Sequence, residues 1–347
     1  MNIRLDDRSP NAPGIDQAST DDPSWESDSG APGYHEPTSI APQELLATLD
    51  AEIAGRAHAR FLATLTALTA GGLKPYFAER GFILLHGDCL DLLPRLRAST
   101  ISADLIVTSP PYNIGKVYES IADVADYVQW SIRWISEAHK ATKAHGSFWL
   151  NLGYLEVPQR GKCVPLPYLL WDKTPFYMQQ EIVWHYGAGV ASKHRFSPRN
   201  EKWLFFTASD EEYTFNLDDV RDPNVKYPNQ KKNGKLKCNP LGKNPTDVWE
   251  FAKVTSGANR SSKERTSHPA QFPLGIVSRI VKVSSNVGDV VMDPFSGSAS
   301  SGVASVGTGR VYIGIEKRKD YCDLSVDRIR QFWDEQDAST RQRALFT

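Results

Sequence analysis

Short apolar runs recur along the chain between residues 82 and 315, and helix-compatible patterns separate several of them. The runs are Phe82-Ile83-Leu84-Leu85, Leu105-Ile106-Val107, Ser147-Phe148-Trp149-Leu150, Ile182-Val183-Trp184, Trp203-Leu204-Phe205-Phe206, Val290-Val291-Met292 and Val311-Tyr312-Ile313-Gly314-Ile315. Runs this short and this continuously apolar fit strands buried on both faces, which need helices to cover them. Patterns over Val124 to Lys140, Leu274 to Ser284 and Tyr321 to Trp333 supply such helices. The alternation predicts an α/β fold with a doubly wound, mainly parallel, seven-stranded sheet.

Outside that rhythm the composition shifts. Residues 1–38 are rich in Asp, Ser, Pro and Gly and are expected to form a disordered tail. Leu45, Leu46, Leu49, Ile53, Phe61, Leu62, Leu65 and Leu68, stopped by Gly71-Gly72, mark a helical segment over 39–76. Residues 207–265 are polar and lysine-rich and read as an insertion on the sheet's edge, dividing a first half (77–206) from a second (266–335), with a tail over 336–347.

A net charge of −1 rules out a wholly polycationic surface, so any nucleic-acid contact must come from a local basic patch. The four cysteines, Cys89, Cys163, Cys238 and Cys322, lie far apart with no zinc-ligand spacing, and no metal is expected. No apolar run is long enough to span a membrane, and the amino terminus lacks a signal-peptide pattern, so a cytoplasmic protein is the expectation.

Two strand ends carry the chemistry. After Leu105-Ile106-Val107 comes Thr108-Ser109-Pro110-Pro111-Tyr112-Asn113, a turn made rigid by two prolines that also remove two backbone donors. Its carbonyl oxygens suit a planar amino group. After Val290-Val291-Met292 comes Asp293-Pro294-Phe295-Ser296-Gly297-Ser298-Ala299-Ser300-Ser301-Gly302, whose small residues let a ligand approach the backbone. Glu316, at the tip of the next strand, can accept both hydroxyls of a ribose. Asp293 facing the ligand would repel a pyrophosphate but suits a cofactor bearing an ammonium and a sulfonium, as S-adenosylmethionine does. Upstream, Asp88 in His86-Gly87-Asp88-Cys89 can accept from an adenine amino group or cap the helix that follows; His86 is read as structural.

Together, Ser109-Pro110-Pro111-Tyr112 and Asp293-Pro294-Phe295-Ser296-Gly297 resemble the two signature motifs of the DNA amino-methyltransferases. The catalytic turn precedes the cofactor loop by about 180 residues, with the basic insertion between, which is similar to the circularly permuted β class of restriction–modification systems. The resemblance implies the S-adenosylmethionine-dependent methyltransferase fold, duplex DNA as substrate and functional pairing with a restriction endonuclease. It assigns cofactor contacts to Asp88, Cys89, Ser109, Phe272, Asp293, Phe295, Gly297, Ser298 and Glu316. His268-Pro269-Ala270-Gln271-Phe272-Pro273 matches the segment that lines the methionine end of the cofactor pocket. Ala299 departs from the pattern, which usually has glycine there; only a positive φ would make the extra methyl costly.

Ser109 heads the tetrapeptide, as in members that methylate the N4 amino group of cytosine; adenine N6 is the alternative. Ser109 Oγ and the Pro110 carbonyl would accept the amino protons, Pro111 would hold the turn, and Tyr112 would stack on a base flipped out of the duplex. The insertion, with Lys226, Lys231, Lys232, Lys235, Lys237, Lys243, Lys253, Arg260, Lys263 and Arg265 against Asp247, Glu250 and Glu264, is the expected target-recognition and DNA-binding region. Arg199 or Glu201 can orient the base or form a surface ion pair, and Tyr118 and Glu119 are candidates for a closing loop.

Overall fold

Each of the seven apolar runs lies in a strand of the computed structural model, which describes residues 51–115, 122–187, 189, 191–254 and 264–344. The expected tail over 1–38 and the first part of the helical segment lie outside these residues. The described chain opens with helix α1 (Ala51–Ala70), strands β1 (Phe77–Glu79) and β2 (Phe82–His86), helix α2 (Cys89–Ala98) and strand β3 (Ala103–Thr108). Helix α3 (Val124–Lys140), strand β4 (Thr142–Leu152), the β5–β6 hairpin (Tyr154–Val157, Gly161–Pro165), the short helix α4 (Pro167–Leu170) and strands β7 (Tyr177–His185) and β8 (Asn200–Thr207) follow. The insertion holds β9 (Lys231–Lys232), β10 (Lys235–Leu236) and β11 (Val248–Glu250). The described chain closes with α5 (Leu274–Ser284), β12 (Val290–Asp293), α6 (Ser300–Gly307), β13 (Val311–Glu316) and α7 (Lys319–Ala344).

The main sheet has the order β1-β2-β13-β12-β3-β4-β8-β7-β11. From β2 to β4 all pairs are parallel; β8 runs antiparallel between β4 and β7. The expected seven strands are extended to nine by β1 and β11, each only three residues long and paired on one side alone. Residues alternate between faces with the period of two that a strand imposes. On β2, Ile83 and Leu85 pack with Phe61 of α1, Leu93 of α2 and Trp134 of α3, while Phe82 and Leu84 pack with Val303 of α6 and Ile329 of α7. Burial on both faces explains why these strands read as unbroken apolar runs.

Gly71-Gly72 ends α1, with Gly72 at φ +75°, and a Cβ on Gly71 would stand 1.8 Å from Ser99 Oγ. The tail expected from 336 is helical as far as 344, because α7 continues. Asp337 holds it to the fold by accepting two hydrogen bonds from Arg80, at 3.0 and 2.9 Å. Among the described residues, no helix is long and apolar enough to cross a membrane.

Candidate active site

Strands β3 and β12 are parallel neighbours, with Leu105 opposite Val291 and Ile106 opposite Met292. The chain leaves β3 for β4 on one side and leaves β12 for β13 on the other. Diverging connections open a crevice at the carboxyl ends of the two strands, the usual ligand position in such sheets. A cavity of about 580 Å³ lies there, lined by Gly87 to Cys89, Ser109 to Asn113, His268 to Phe272, Pro294 to Ser298 and Glu316. Residues far apart in sequence thus share one site.

Asp293 does not line this cavity and is only 1% exposed, which corrects the expectation that it faces the ligand. Its Oδ1 accepts from Thr108 Oγ1 at 2.6 Å and from the Phe295 N–H at 3.0 Å, and its Oδ2 accepts from the Ser301 hydroxyl. Burial pushes its pKa up to about 6. The side chain ties the end of β3 to the loop after β12 and shapes the site from behind.

The loop itself is built for close approach. Gly297 has φ +52°, and a Cβ there would come 3.0 Å from His268 Nε2, so a side chain has neither the conformation nor the room. The Gly297 N–H donates to Glu316 Oε2 at 2.9 Å and the Arg318 N–H donates to Oε1 at 2.8 Å. Each carboxylate oxygen has two lone pairs, so both retain capacity for a hydroxyl donor. Burial raises the pKa of Glu316. Ala299 sits at φ +54°, the left-handed region, where a non-glycine residue is strained by roughly 1–2 kcal/mol. Ser298 is held from below by Arg328, whose Nη1 donates to its carbonyl at 2.8 Å and lies 3.2 Å from its hydroxyl; burial lowers that guanidinium to about 10.

Asp88 is the N-cap of α2: Oδ1 accepts from the Leu90 N–H at 3.0 Å, while Oδ2 accepts from Lys317 Nζ at 2.9 Å. It still lines the cavity beside Cys89, whose thiol burial pushes up to about 12. Two aromatic walls complete this end. Phe272 packs on Trp203 with ring centres 5.2 Å apart, and Phe295 meets Trp134 edge-on at 5.0 Å.

At the other end, Ser109 Oγ donates to Tyr112 Oη at 3.0 Å, and Tyr112 Oη donates to Asn151 Oδ1 at 2.5 Å. Glu201 Oε2 lies 3.4 Å from the same tyrosine oxygen, and Glu201 Oε1 accepts from Lys253 Nζ at 2.7 Å. Burial opposes the charge on Lys253, but the Glu201 carboxylate and Tyr186 together outweigh it and the net pKa is raised. The Pro111 carbonyl accepts from Tyr127 Oη at 2.7 Å, which leaves the Pro110 carbonyl as the turn's candidate acceptor. Glu201 lines the cavity and Arg199 does not. Asn113 pins Ala122 through both backbone groups, at 2.8 and 2.7 Å; Tyr118 and Glu119 lie outside the described residues.

Residues 103–327 match a family model described as DNA methylase. The chain belongs to the DNA methylase family. The Type II methyltransferase M.ScaI of Streptomyces caespitosus is 58% identical over 256 residues, 74% of this chain and 84% of that protein. The DNA adenine methyltransferase YhdJ of Escherichia coli is 30% identical over 267 residues, 73% of this chain and 84% of that protein. The solved structure of PvuII DNA methyltransferase (cytosine-N4-specific) shares the fold, with a TM-score of 0.56 at 19% identity over 76% of this chain and 95% of that one.

In this methylase most of the described residues of the basic stretch do not line the cavity. Lys231, Lys232 and Lys235 are exposed on the β9–β10 hairpin, Lys226 is exposed on its approach, and Arg265 is exposed beyond it; Arg260 and Lys263 lie outside the described residues. Of that stretch, among the described residues, only Lys253 reaches the cavity. Asn151, Tyr127 and Trp184 also line it without having been singled out in the sequence. Asn151 carried a signal: it follows the apolar run of β4 as Ser109 follows that of β3. Among the described residues, no group of three or more His, Cys, Asp or Glu is arranged to hold a metal ion.

Proposed function

We propose that this DNA methylase transfers a methyl group from S-adenosylmethionine to the N4 amino group of cytosine in duplex DNA, at a specific site and with the base flipped out. The observation that carries the proposal is the sharing of one cavity by Ser109, Tyr112 and Asn151 at one end and Glu316 with the Gly297 loop at the other. The lining suits the cofactor. Glu316 would accept the ribose hydroxyls, Asp88 the adenine amino group, and Phe272 and Phe295 would flank the apolar parts. When bound, S-adenosylmethionine supplies an electrophilic methyl group.

The chain's own residues prepare the amine. Its lone pair is delocalised into the ring, and acceptors on both amino protons favour a tetrahedral nitrogen. Ser109 Oγ and the Pro110 carbonyl would be those acceptors, and fixing them in advance is the electrostatic part of the rate enhancement. Tyr112 would stack on the flipped base. Gly153 supports its ring, since a Cβ there would stand 3.0 Å from Tyr112 Cε2. The lysines of the β9–β10 hairpin would bind phosphates in the recognition region. Protection of DNA against a partner restriction endonuclease is the proposed biological role, in line with the M.ScaI likeness.

Cytosine is favoured by the serine at the head of the tetrapeptide. Adenine N6 is the second reading, favoured by the likeness to an enzyme named as an adenine methyltransferase. Sequencing DNA from a host expressing the protein, with chemistry that separates N4-methylcytosine from N6-methyladenine, tests both. N4-methylcytosine at one fixed sequence is expected; N6-methyladenine overturns the choice of base, and absence of either overturns the proposal.

A further inference from the structure

Strands β7 and β8 are joined by a segment that leaves from the rim of the cavity. Trp184 and Glu201, opposite one another in register, both line it, and the Tyr186 N–H donates to the Arg199 carbonyl at 2.9 Å just beyond them. At the far end of the segment, Lys193, His194, Arg195 and Phe196 are exposed, and Phe196 is 100% exposed. The tip has local order: the Ser192 N–H donates to Ser197 Oγ at 3.0 Å, and Pro198 fixes its own φ. Phe196 is separated from Glu201 by five residues of chain, so it lies within roughly 18 Å of that cavity residue.

A single exposed apolar side chain is ordinary on a protein surface. This one is a complete phenyl ring in solvent, beside two exposed cations for which no ion pair is found among the described residues, at the tip of a segment whose two ends line the rim of the cavity. A ring of that kind fits between stacked bases, and the cations complement flanking phosphates.

We infer that Phe196 is a wedge that enters the base stack beside the target while Lys193 and Arg195 hold the backbone. Its insertion compensates for the stacking lost when the base leaves the duplex. The inference rests on the duplex-DNA reading above and adds a positioning residue to it.

The test uses the full-length protein and two duplexes that carry its methylation site, located beforehand by sequencing host DNA. In one the target base is paired; in the other an abasic position stands opposite it. Phe196→Ala should lower kcat/KM on the paired duplex about ten- to a hundredfold, yet stay within about threefold of the unaltered protein on the abasic-opposed duplex. Phe196→Trp should recover most of the loss. Unchanged kcat/KM on the paired duplex, or equal losses on both, overturns the wedge. Failure of the unaltered protein to methylate either duplex overturns the DNA reading itself, and the wedge with it.

Discussion

Replacing Asp293 by Asn tests the placement of this carboxylate behind the loop. Its pKa rises from the ordinary 3.8 to about 6 because burial disfavours the charged form. In the folded state the proton is therefore held up to about pH 6, whereas in the unfolded chain it is lost near pH 3.8. The sign follows: the contribution is fully present below the unfolded value and is lost as pH rises through the folded one. At 1.36 kcal/mol per pKa unit the whole effect is about 3 kcal/mol, of which about 1.4 kcal/mol falls between pH 5 and pH 8. Asparagine does not titrate, and its side-chain oxygen can still accept from Thr108 and the Phe295 N–H. The stability difference between Asp293→Asn and the unaltered protein should thus move in favour of the variant by about 1.4 kcal/mol over that interval. Urea unfolding followed by tryptophan fluorescence, with nine tryptophans as reporters, measures it at both pH values. A difference that stays constant refutes the reasoning, because it requires Asp293 to be ionised in the fold at pH 5. Asp293→Ala differs: it leaves three donors without their acceptor, so cofactor affinity measured by calorimetry should fall with Ala and persist with Asn.

Ala299→Gly relieves roughly 1–2 kcal/mol of left-handed strain but loses a buried methyl worth about 0.8 kcal/mol and adds freedom to the unfolded chain. Net stability by thermal unfolding should change by less than about 1 kcal/mol, and a larger loss means the methyl has a packing role beyond its area. Lys253→Met leaves Glu201 beside Tyr112 without its cation and should destabilise the protein by about 1–2 kcal/mol, the pair being partly exposed. Glu201→Gln in the same chain should recover part of that; strictly additive effects in the four-variant cycle would rule out the coupling. Lys231→Ala with Lys232→Ala should make the slope of log affinity against log salt shallower by up to about 0.9 per lysine for duplex DNA. An unaltered slope removes the β9–β10 hairpin from the phosphate contacts.

The parts of the fold that the sequence revealed were those fixed by local pattern. Strands buried on both faces, such as β2, β3, β12 and β13, cannot avoid being continuously apolar and were visible with the other runs, whereas β1 and β11, three residues each and paired on one side, left no pattern to see. The β9–β10 hairpin did leave one: Asn233-Gly234, both at positive φ in the structure, is a strong two-residue turn signal inside a stretch that otherwise reads only as basic loop. The helix beyond residue 335 meets the rest of the fold through the Arg80–Asp337 pair, a contact between distant segments that no window of sequence contains.

The same division holds in the site. The sequence by itself determined which chemical groups end each strand: Ser109 and two prolines after β3, a small-residue loop after β12, Glu316 at the tip of β13. Only the tertiary structure decided what those groups face. Placing β3 beside β12 puts Thr108 against Asp293 and turns a carboxylate that looked like a ligand contact into a buried tie between the two loops. On the other side of β3, helix α3 commits one proline carbonyl to Tyr127, and strands β4 and β8 bring Asn151 and Glu201 to Tyr112, with Lys253 paired to Glu201. The physical reason is that strand sequence sets the pattern of burial along a chain, while the order of strands in the sheet sets which strand ends meet at the crevice.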